Sequence, residues 1–503
     1  MSEARSGSTT GGTRGEARAD WTPLIVASLV FAAIVALGAG GVRGTDQYWY
    51  VADAEAVASG DGFFTNHVFP VSVLDGMPLP RPFVHNGPPV YVVAALVSLV
   101  DPYAAWIVAG MLFSLLTAVL IAYAVGARSS RRNGAWAGAV YLALPLTVWQ
   151  TTQPLIETWL AMLVVASAVL LVGSDRRTWL WLPATAIVGV LFWSRFSFLP
   201  LLVVMPVAFS VASAKLKTNR WPMLVALIAL VAFMVMVSGN IFPSHQPYSF
   251  AEYVNGTATW RETDMLFVRP ADSLEWITLL RKAAYAVRQQ FVPDLPATAV
   301  FYWPFTLMVC ALLVGIARRQ SRPQDPWTLI VIAVLLVHIA TVVLYRNQFR
   351  YILPVTPPLV IFVAVWLSGR KRIPLLRPVA VLALVASIAI GAGVALQSRE
   401  GGLSASKVQR ELERVYGDEL TDARSVMIEY PGAGGFVHGY AVRPRMVAYF
   451  DSTLTDDDVR RIRERTNAGW VVMSESARYP DSIRYVVALP ERDSLAVALY
   501  KIE

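Results

Sequence analysis

Several stretches of this chain carry no charged side chain over the length of a membrane crossing. No Asp, Glu, Lys or Arg occurs between Asp20 and Arg43, between Arg132 and Glu157, or between Asp294 and Arg318. A helix rises ~1.5 Å per residue and a bilayer's hydrocarbon core is ~30 Å thick, so about 20 such residues cross it. Composition agrees, with 55% hydrophobic and 16% charged residues, where soluble domains carry about 25% charged residues. A soluble globular fold is excluded, and so is a disordered or collagen-like chain. The single cysteine, Cys310, makes no intrachain disulfide and no thiolate metal cage.

Eleven spans are expected, at about residues 22–42, 107–127, 134–152, 156–173, 179–194, 198–214, 221–240, 297–317, 327–345, 351–368 and 379–397. The run from Trp21 to Val42 is long for a signal peptide's apolar core and reads as an uncleaved first span. Residues 88–100 reach only ~20 Å, short of the core. Their Asn86-Gly87-Pro88-Pro89 start suits a helix lying in the interface or dipping partway in. With eleven spans, the N-terminal tail and the short loops on its side hold 18 Lys and Arg, against 10 in the much longer loops opposite. Short basic loops belong in the cytoplasm, which puts the N-terminus inside and the C-terminus outside.

The expected fold class is therefore a mostly α, polytopic membrane protein with about 11 transmembrane helices, plus a C-terminal extracytoplasmic α/β domain. Residues 1–20 read as a disordered cytoplasmic tail, 21–397 as the membrane domain with outer loops 43–106 and 241–296, and 398–503 as the soluble outer domain. The second loop carries an amphipathic helix over 273–290, with Leu274, Ile277, Leu280, Ala284 and Val287 at helical spacing. In the outer domain, β-like runs at Val426–Ile428, Met446–Phe450, Trp470–Met473, Arg484–Leu489 and Leu495–Ile502 alternate with helical stretches. One helix is marked by Thr455 as cap and Asp458 three residues on.

Charged residues beside the outer membrane surface are the candidates for chemistry. Asp46 opens the stretch Thr45-Asp46-Gln47-Tyr48-Trp49-Tyr50-Val51-Ala52-Asp53-Ala54-Glu55, and Gly60 ends its helix. A carboxylate fixed there can serve as a general base, or simply as a helix N-cap. Glu157, in Gln153-Pro154-Leu155-Ile156-Glu157, lies among apolar residues at a span's outer end. It is either functional or solvated in the interface. Arg195, Arg346 and Arg350 share that side, where guanidinium groups can hold a phosphate or snorkel to lipid headgroups. Gly432-Ala433-Gly434-Gly435 lacks a full dinucleotide fingerprint and reads as a turn. His338 reads as a packed core histidine, Asp456-Asp457-Asp458 as a helix first turn, and five unpaired histidines give no zinc site.

Together these pieces resemble the polytopic GT-C glycosyltransferases, most closely the family-39-like group of protein O-mannosyltransferases and lipid A aminoarabinose transferases. The likeness spans residues 22–370 and rests on Asp46 with Tyr48 to Gly60, Pro88-Pro89-Val90-Tyr91, Pro154 with Glu157, and Arg350-Tyr351-Ile352-Leu353-Pro354-Val355-Thr356-Pro357. It implies a membrane enzyme that takes a sugar from a polyprenyl-phosphate donor at the outer face of the cytoplasmic membrane. In that reading Asp46 deprotonates an acceptor hydroxyl and the anomeric carbon inverts. Arg195, Arg346 and Arg350 hold the donor phosphate, and Glu157 orients the acceptor or helps hold a divalent metal, which is possible but not required. No other cofactor is implied. Two departures stand out. The usual acidic pair is Asp46-Gln47 here, and a lysine before Pro-Pro is replaced by Gly87, leaving His85 or Arg81 as substitutes.

The rival class is a polytopic lipid or sugar transporter or flippase, which calls for mid-membrane ionisable groups and inverted repeats. The candidates here cluster at the rim, and no repeat is visible. Arg outnumbers Lys by 37 to 6, as in high-GC genomes, and a cell-envelope glycan, a lipid or a protein is the expected acceptor. The formal charge of +8 lies almost wholly in the short inner loops, so it labels topology and is no nucleic-acid footprint.

Overall fold

The computed structural model describes residues 13–40, 45–60, 64–65, 67–68, 81–82, 87–174, 177–194, 276–293, 296–317, 326–344, 349–368, 381, 384–397, 399, 425–429, 446–450, 455–474, 483–488 and 497–502. The expected spans at 198–214 and 221–240, and the Gly432–Gly435 turn, lie outside the described residues. Four described helices are long and apolar enough to cross a membrane: Trp21–Gly38, Pro102–Gly126, Ala299–Ala317 and Phe349–Ser368. Shorter apolar helices accompany them, and the chain is a membrane protein.

Helix α1 (Thr13–Gly38) begins inside the segment read as a tail. α2 (Thr45–Ala58) follows it closely and stops at Gly60, whose φ of +83° ends the helix. After two short strands, β1 (Phe64–Thr65) and β2 (His67–Val68), β3 (Arg81–Pro82) returns to pair antiparallel with β1. α3 (Gly87–Val97) is the short apolar helix expected near 88–100. α4 (Pro102–Gly126) starts where Asp101 accepts hydrogen bonds from the Tyr103 and Ala104 amides, with Pro102 in the first turn.

Among the described helices, α4 lies along α5 (Arg131–Ala143) in an extensive seam. It is built on small residues. A Cβ on Gly134 would overlap the Ala122 carbonyl, and one on Gly138 would sit 2.7 Å from that of Ala118. Close backbone approach through a small-xxx-small pattern is how helices associate where water drives nothing. α5 stops at Leu144, extended ahead of Pro145, and α6 (Pro145–Thr151) resumes at an angle set by that proline. α7 (Glu157–Gly173) and α8 (Trp181–Ser194) then run antiparallel against each other. Phe31, Trp106, Ile121, Tyr141, Leu142 and Leu160 fill the centre of this core.

Further along lie α9 (Trp276–Phe291), α10 (Ala299–Ala317) and α11 (Pro326–Leu344). A 3-10 turn (Phe349–Val355) leads into α12 (Thr356–Ser368), and α13 (Leu384–Gln397) follows. Pro354, Pro357 and Pro358 cannot donate to a helix ladder, so the chain tightens there before α12 settles.

The last part of the chain supplies β4 (Ser425–Glu429), β5 (Met446–Phe450), α14 (Asp456–Thr466), β6 (Ala468–Ser474), β7 (Ile483–Ala488) and β8 (Val497–Ile502). The five β-like runs of the sequence fall on β4 to β8. Thr455 and Asp458 form a capping box, and Asn467 closes α14 in the left-handed region. The sheet order is β2-β5-β4-β6-β8-β7, with β2 to β6 parallel and β8 antiparallel to both neighbours. Its first strand comes from residues 67 and 68, aligned on Val447 and Ala448.

Candidate active site

The stretch opening at Asp46 folds as α2 because small and aromatic residues fall on one face of it. Gln47, Tyr50, Asp53 and Ala54 are buried at a spacing of three and four. They pack on α3 and α4. The Trp106 indole donates to the Tyr50 carbonyl at 2.7 Å, and the two rings sit 5.5 Å apart. Asp46 is the second residue of this helix, so the helix begins before it rather than being capped by it. Its side chain lies outside the described part of the structure.

Gln47, next to Asp46, ties α2 to the second motif. Its Nε2 donates to Oε1 of Gln153. Gln153 begins the short turn Gln153–Ile156, closed by the Leu155 amide on the Gln153 carbonyl, and this turn delivers Glu157 as the first residue of α7. Glu157 is fully buried, so of its two sequence readings solvation in the interface is not the one observed.

The partner of Glu157 is Arg350. The guanidinium Nε stands 3.6 Å from Glu157 Oε1. Charge-assisted hydrogen bonds are usually ~2.7–2.9 Å long, so this contact neutralises charge without the grip of a short hydrogen bond. Arg350 also donates from Nη2 to the Tyr351 hydroxyl at 3.1 Å and lies over that ring. The 3-10 turn that carries Arg350 is clamped by aromatic rings. Phe349 stacks on Phe301 at 4.6 Å and meets Trp149 at 4.8 Å, which brings α6 and α10 to the same place. His338 packs edge-on to Phe305 and hydrogen-bonds the Tyr351 backbone, as a core histidine should.

Trp159, two residues into α7, donates to the Ser194 hydroxyl at 2.9 Å and packs on Phe113. Ser194 ends α8. Arg195, which follows it, and Arg346 and His85 lie outside the described residues, while Arg81 is described only as backbone in β3. The fold thus gathers the start of α2, Gln153, Glu157 and Arg350 where α7, the 3-10 turn before α12, and α10 begin. These are the ends of apolar helices.

Three polar residues were given no role by the sequence reading. Gln47 and Gln153 form the tether. Asp53 is the third. It is buried, and its Oδ1 finds no hydrogen-bond partner among the described residues. Burial pushes its carboxyl well above the ordinary carboxylate range. Its place on the Asp46–Tyr50–Val57 face of α2 was the readable sign. Among the described residues no three His, Cys, Asp or Glu side chains converge as a metal site would require.

No protein-family model matches the chain, and no curated protein matches it by sequence. Solved structures do match it in shape. ArnT from Cupriavidus metallidurans bound to undecaprenyl phosphate aligns with a TM-score of 0.61 and 13% identity, covering 97% of this chain and 98% of that one. The archaeal oligosaccharyltransferase AglB from Archaeoglobus fulgidus, in complex with an inhibitory peptide and a dolichol-phosphate, aligns at 0.56 and 10% identity over 92% of this chain and 70% of that one. The Archaeoglobus fulgidus oligosaccharyltransferase in complex with Zn and sulfate gives 0.55 and 11%, over 90% and 68%. The chain shares the fold of these structures, which agrees with the GT-C resemblance of its motifs.

Proposed function

We propose that the protein is a glycosyltransferase that moves a sugar from a polyprenyl-phosphate donor to an acceptor hydroxyl, inverting the anomeric centre. The observation that carries this reading is the hydrogen bond from Gln47 to Gln153, which holds the start of α2, and with it Asp46, against the turn leading to the Glu157–Arg350 pair. Support comes from the shared fold with ArnT bound to undecaprenyl phosphate and AglB bound to a dolichol-phosphate. The reaction proceeds at the outer face of the cytoplasmic membrane, with eleven spans, the N-terminus inside and residues 398–503 outside as an α/β domain.

In this mechanism the acceptor oxygen attacks the anomeric carbon as the bond to the lipid-phosphate oxygen breaks. The hydroxyl proton passes to the Asp46 carboxylate and the phosphate leaves with the electron pair. A phosphate is a good leaving group, and preorganised cations suffice to stabilise it. In this reading Arg350 serves that role, and Arg195, Arg346 and His85 or Arg81 from the first loop are the further candidates for it. Glu157 balances the charge of Arg350 and orients the acceptor. A divalent metal beside Glu157 would have to share that carboxylate with a guanidinium already 3.6 Å away, a poor fit, and no step is routed through one.

The test supplies polyprenyl-phosphate donors with labelled hexoses or pentoses to the purified protein, beside Asp46→Asn. Transfer by the parent and its loss, by about 100-fold or more as for a missing general base, in a variant that elutes and melts like the parent supports the reading. Equal transfer by both overturns the role of Asp46. Lipid translocation in reconstituted vesicles without transfer to any acceptor replaces the reading with a transporter.

A further inference from the structure

Helix α9 is packed the opposite way round from a helix of a soluble protein. Toward α10 and α11 it turns Ala286 and Gln289, both buried. Thr306 of α10 donates to the Gln290 carbonyl at 3.0 Å and the Trp303 indole to that of Phe291 at 3.3 Å. Gln289 is itself satisfied by the Tyr285 hydroxyl. Away from the protein the helix presents Ile277, Leu280, Ala284, Val287 and Phe291, spaced three and four apart in an unbroken apolar stripe. The four large side chains among them are 57% to 68% exposed. Water does not pay for such a stripe; an apolar phase does.

Two further observations say which phase. The first is continuity. At Phe291 the stripe meets Trp303 and then Leu307, which are exposed on α10, a helix of membrane-crossing length. The exposed stripe therefore runs on from the lipid-facing side of a span, with a tryptophan at the joint as at membrane interfaces generally. The second is charge. The segment Trp276–Phe291 contains Arg281, Lys282 and Arg288 and no acidic residue, and the two arginines are exposed. An apolar stripe flanked by arginine is how a helix lies in the headgroup plane of an anionic membrane.

We propose that α9 is a lipid-binding surface: it lies flat in the membrane interface, with Ile277, Leu280, Val287 and Phe291 among acyl chains and Arg281 and Arg288 on the phosphates of anionic phospholipids. The leaflet is the one bordering Glu157 and Arg350, because Phe301 at the start of α10 stacks on Phe349. This surface is independent of the sugar-transfer reading and would hold for a transporter as well.

The experiment uses the full chain with Cys310→Ser and a spin label on Ala284→Cys, reconstituted into phosphatidylcholine vesicles or into equal parts phosphatidylcholine and phosphatidylglycerol. The expected result is a label relaxed more by oxygen, which partitions into lipid, than by an aqueous nickel chelate. Depth should increase in the anionic vesicles, and Arg281→Gln with Arg288→Gln should abolish that increase. A label relaxed mainly by the nickel chelate overturns the proposal, and dipolar coupling between labels on two copies does so too, since a second copy would then cover the stripe. Equal depth in the two vesicle types overturns the role of the arginines.

Discussion

The α4–α5 seam and the α2–Glu157–Arg350 cluster are both buried in the same membrane domain, yet they are held by opposite means. The seam has no room and little polarity. Gly134 and Gly138 let two backbones touch, and its tolerance is steric. The cluster is polarity taken from water: Gln47 is hydrogen-bonded to Gln153, buried Glu157 is paired with partly buried Arg350, and Asp53 Oδ1 finds no hydrogen-bond partner among the described residues. Shape is cheap to maintain in a membrane and buried polarity is not, which is why the proposed chemistry is assigned to the cluster.

Four substitutions break or sharpen this contrast, from the largest effect to the smallest. Gly134→Leu places a side chain where the Ala122 carbonyl already stands, and should prevent recovery of monodisperse protein on size exclusion; a variant that elutes and melts like the parent would show that the seam can give way. Arg350→Ala leaves Glu157 buried without its countercharge and should cost about 3–5 kcal/mol of stability. Glu157→Gln in the same chain should recover part of that loss, because the two sites are coupled, and additive effects in a thermal-unfolding cycle would refute the pairing. Gln47→Ala removes one buried hydrogen bond and strands Gln153, for about 1–3 kcal/mol, with a larger effect on turnover than on melting if α2 needs its tether.

Asp53→Asn changes a slope rather than a height. Burial raises the Asp53 carboxyl, so between its ordinary and its raised value the folded protein binds a proton that the unfolded chain has released. The parent therefore loses stability as pH climbs through that window, and its full contribution is present only below it. The asparagine variant should match the parent in acid and melt higher than it toward alkaline pH. Parallel melting curves across pH would place the carboxylate in a wetter setting than the structure does.

What the sequence made legible follows from how local each signal is. Apolar runs, the capping box at Thr455 and Asp458, the glycine ending α2 and the strand runs of the last hundred residues each depend on neighbours a few positions away, and each was readable. Glu157 and Arg350 were both singled out, but for separate duties. That they face each other depends on how α7 meets the turn before α12, which no periodicity states. The stripe on α9 was visible as spacing, while its outward direction was not, because the buried side is chosen by α10 and α11. β2 has only two residues and no alternation to read.

That two-residue strand has a consequence for how the molecule is made. Its partner β5 begins at Met446, so this sheet edge joins residues 67 and 68 to residues 447 and 448, far apart in the chain. Contacts of such sequence separation form slowly, after the intervening chain has found its place. The β2 edge can be paired only once β5 has been made, and its backbone amides, followed by hydrogen exchange during synthesis, would time the moment at which the two segments meet.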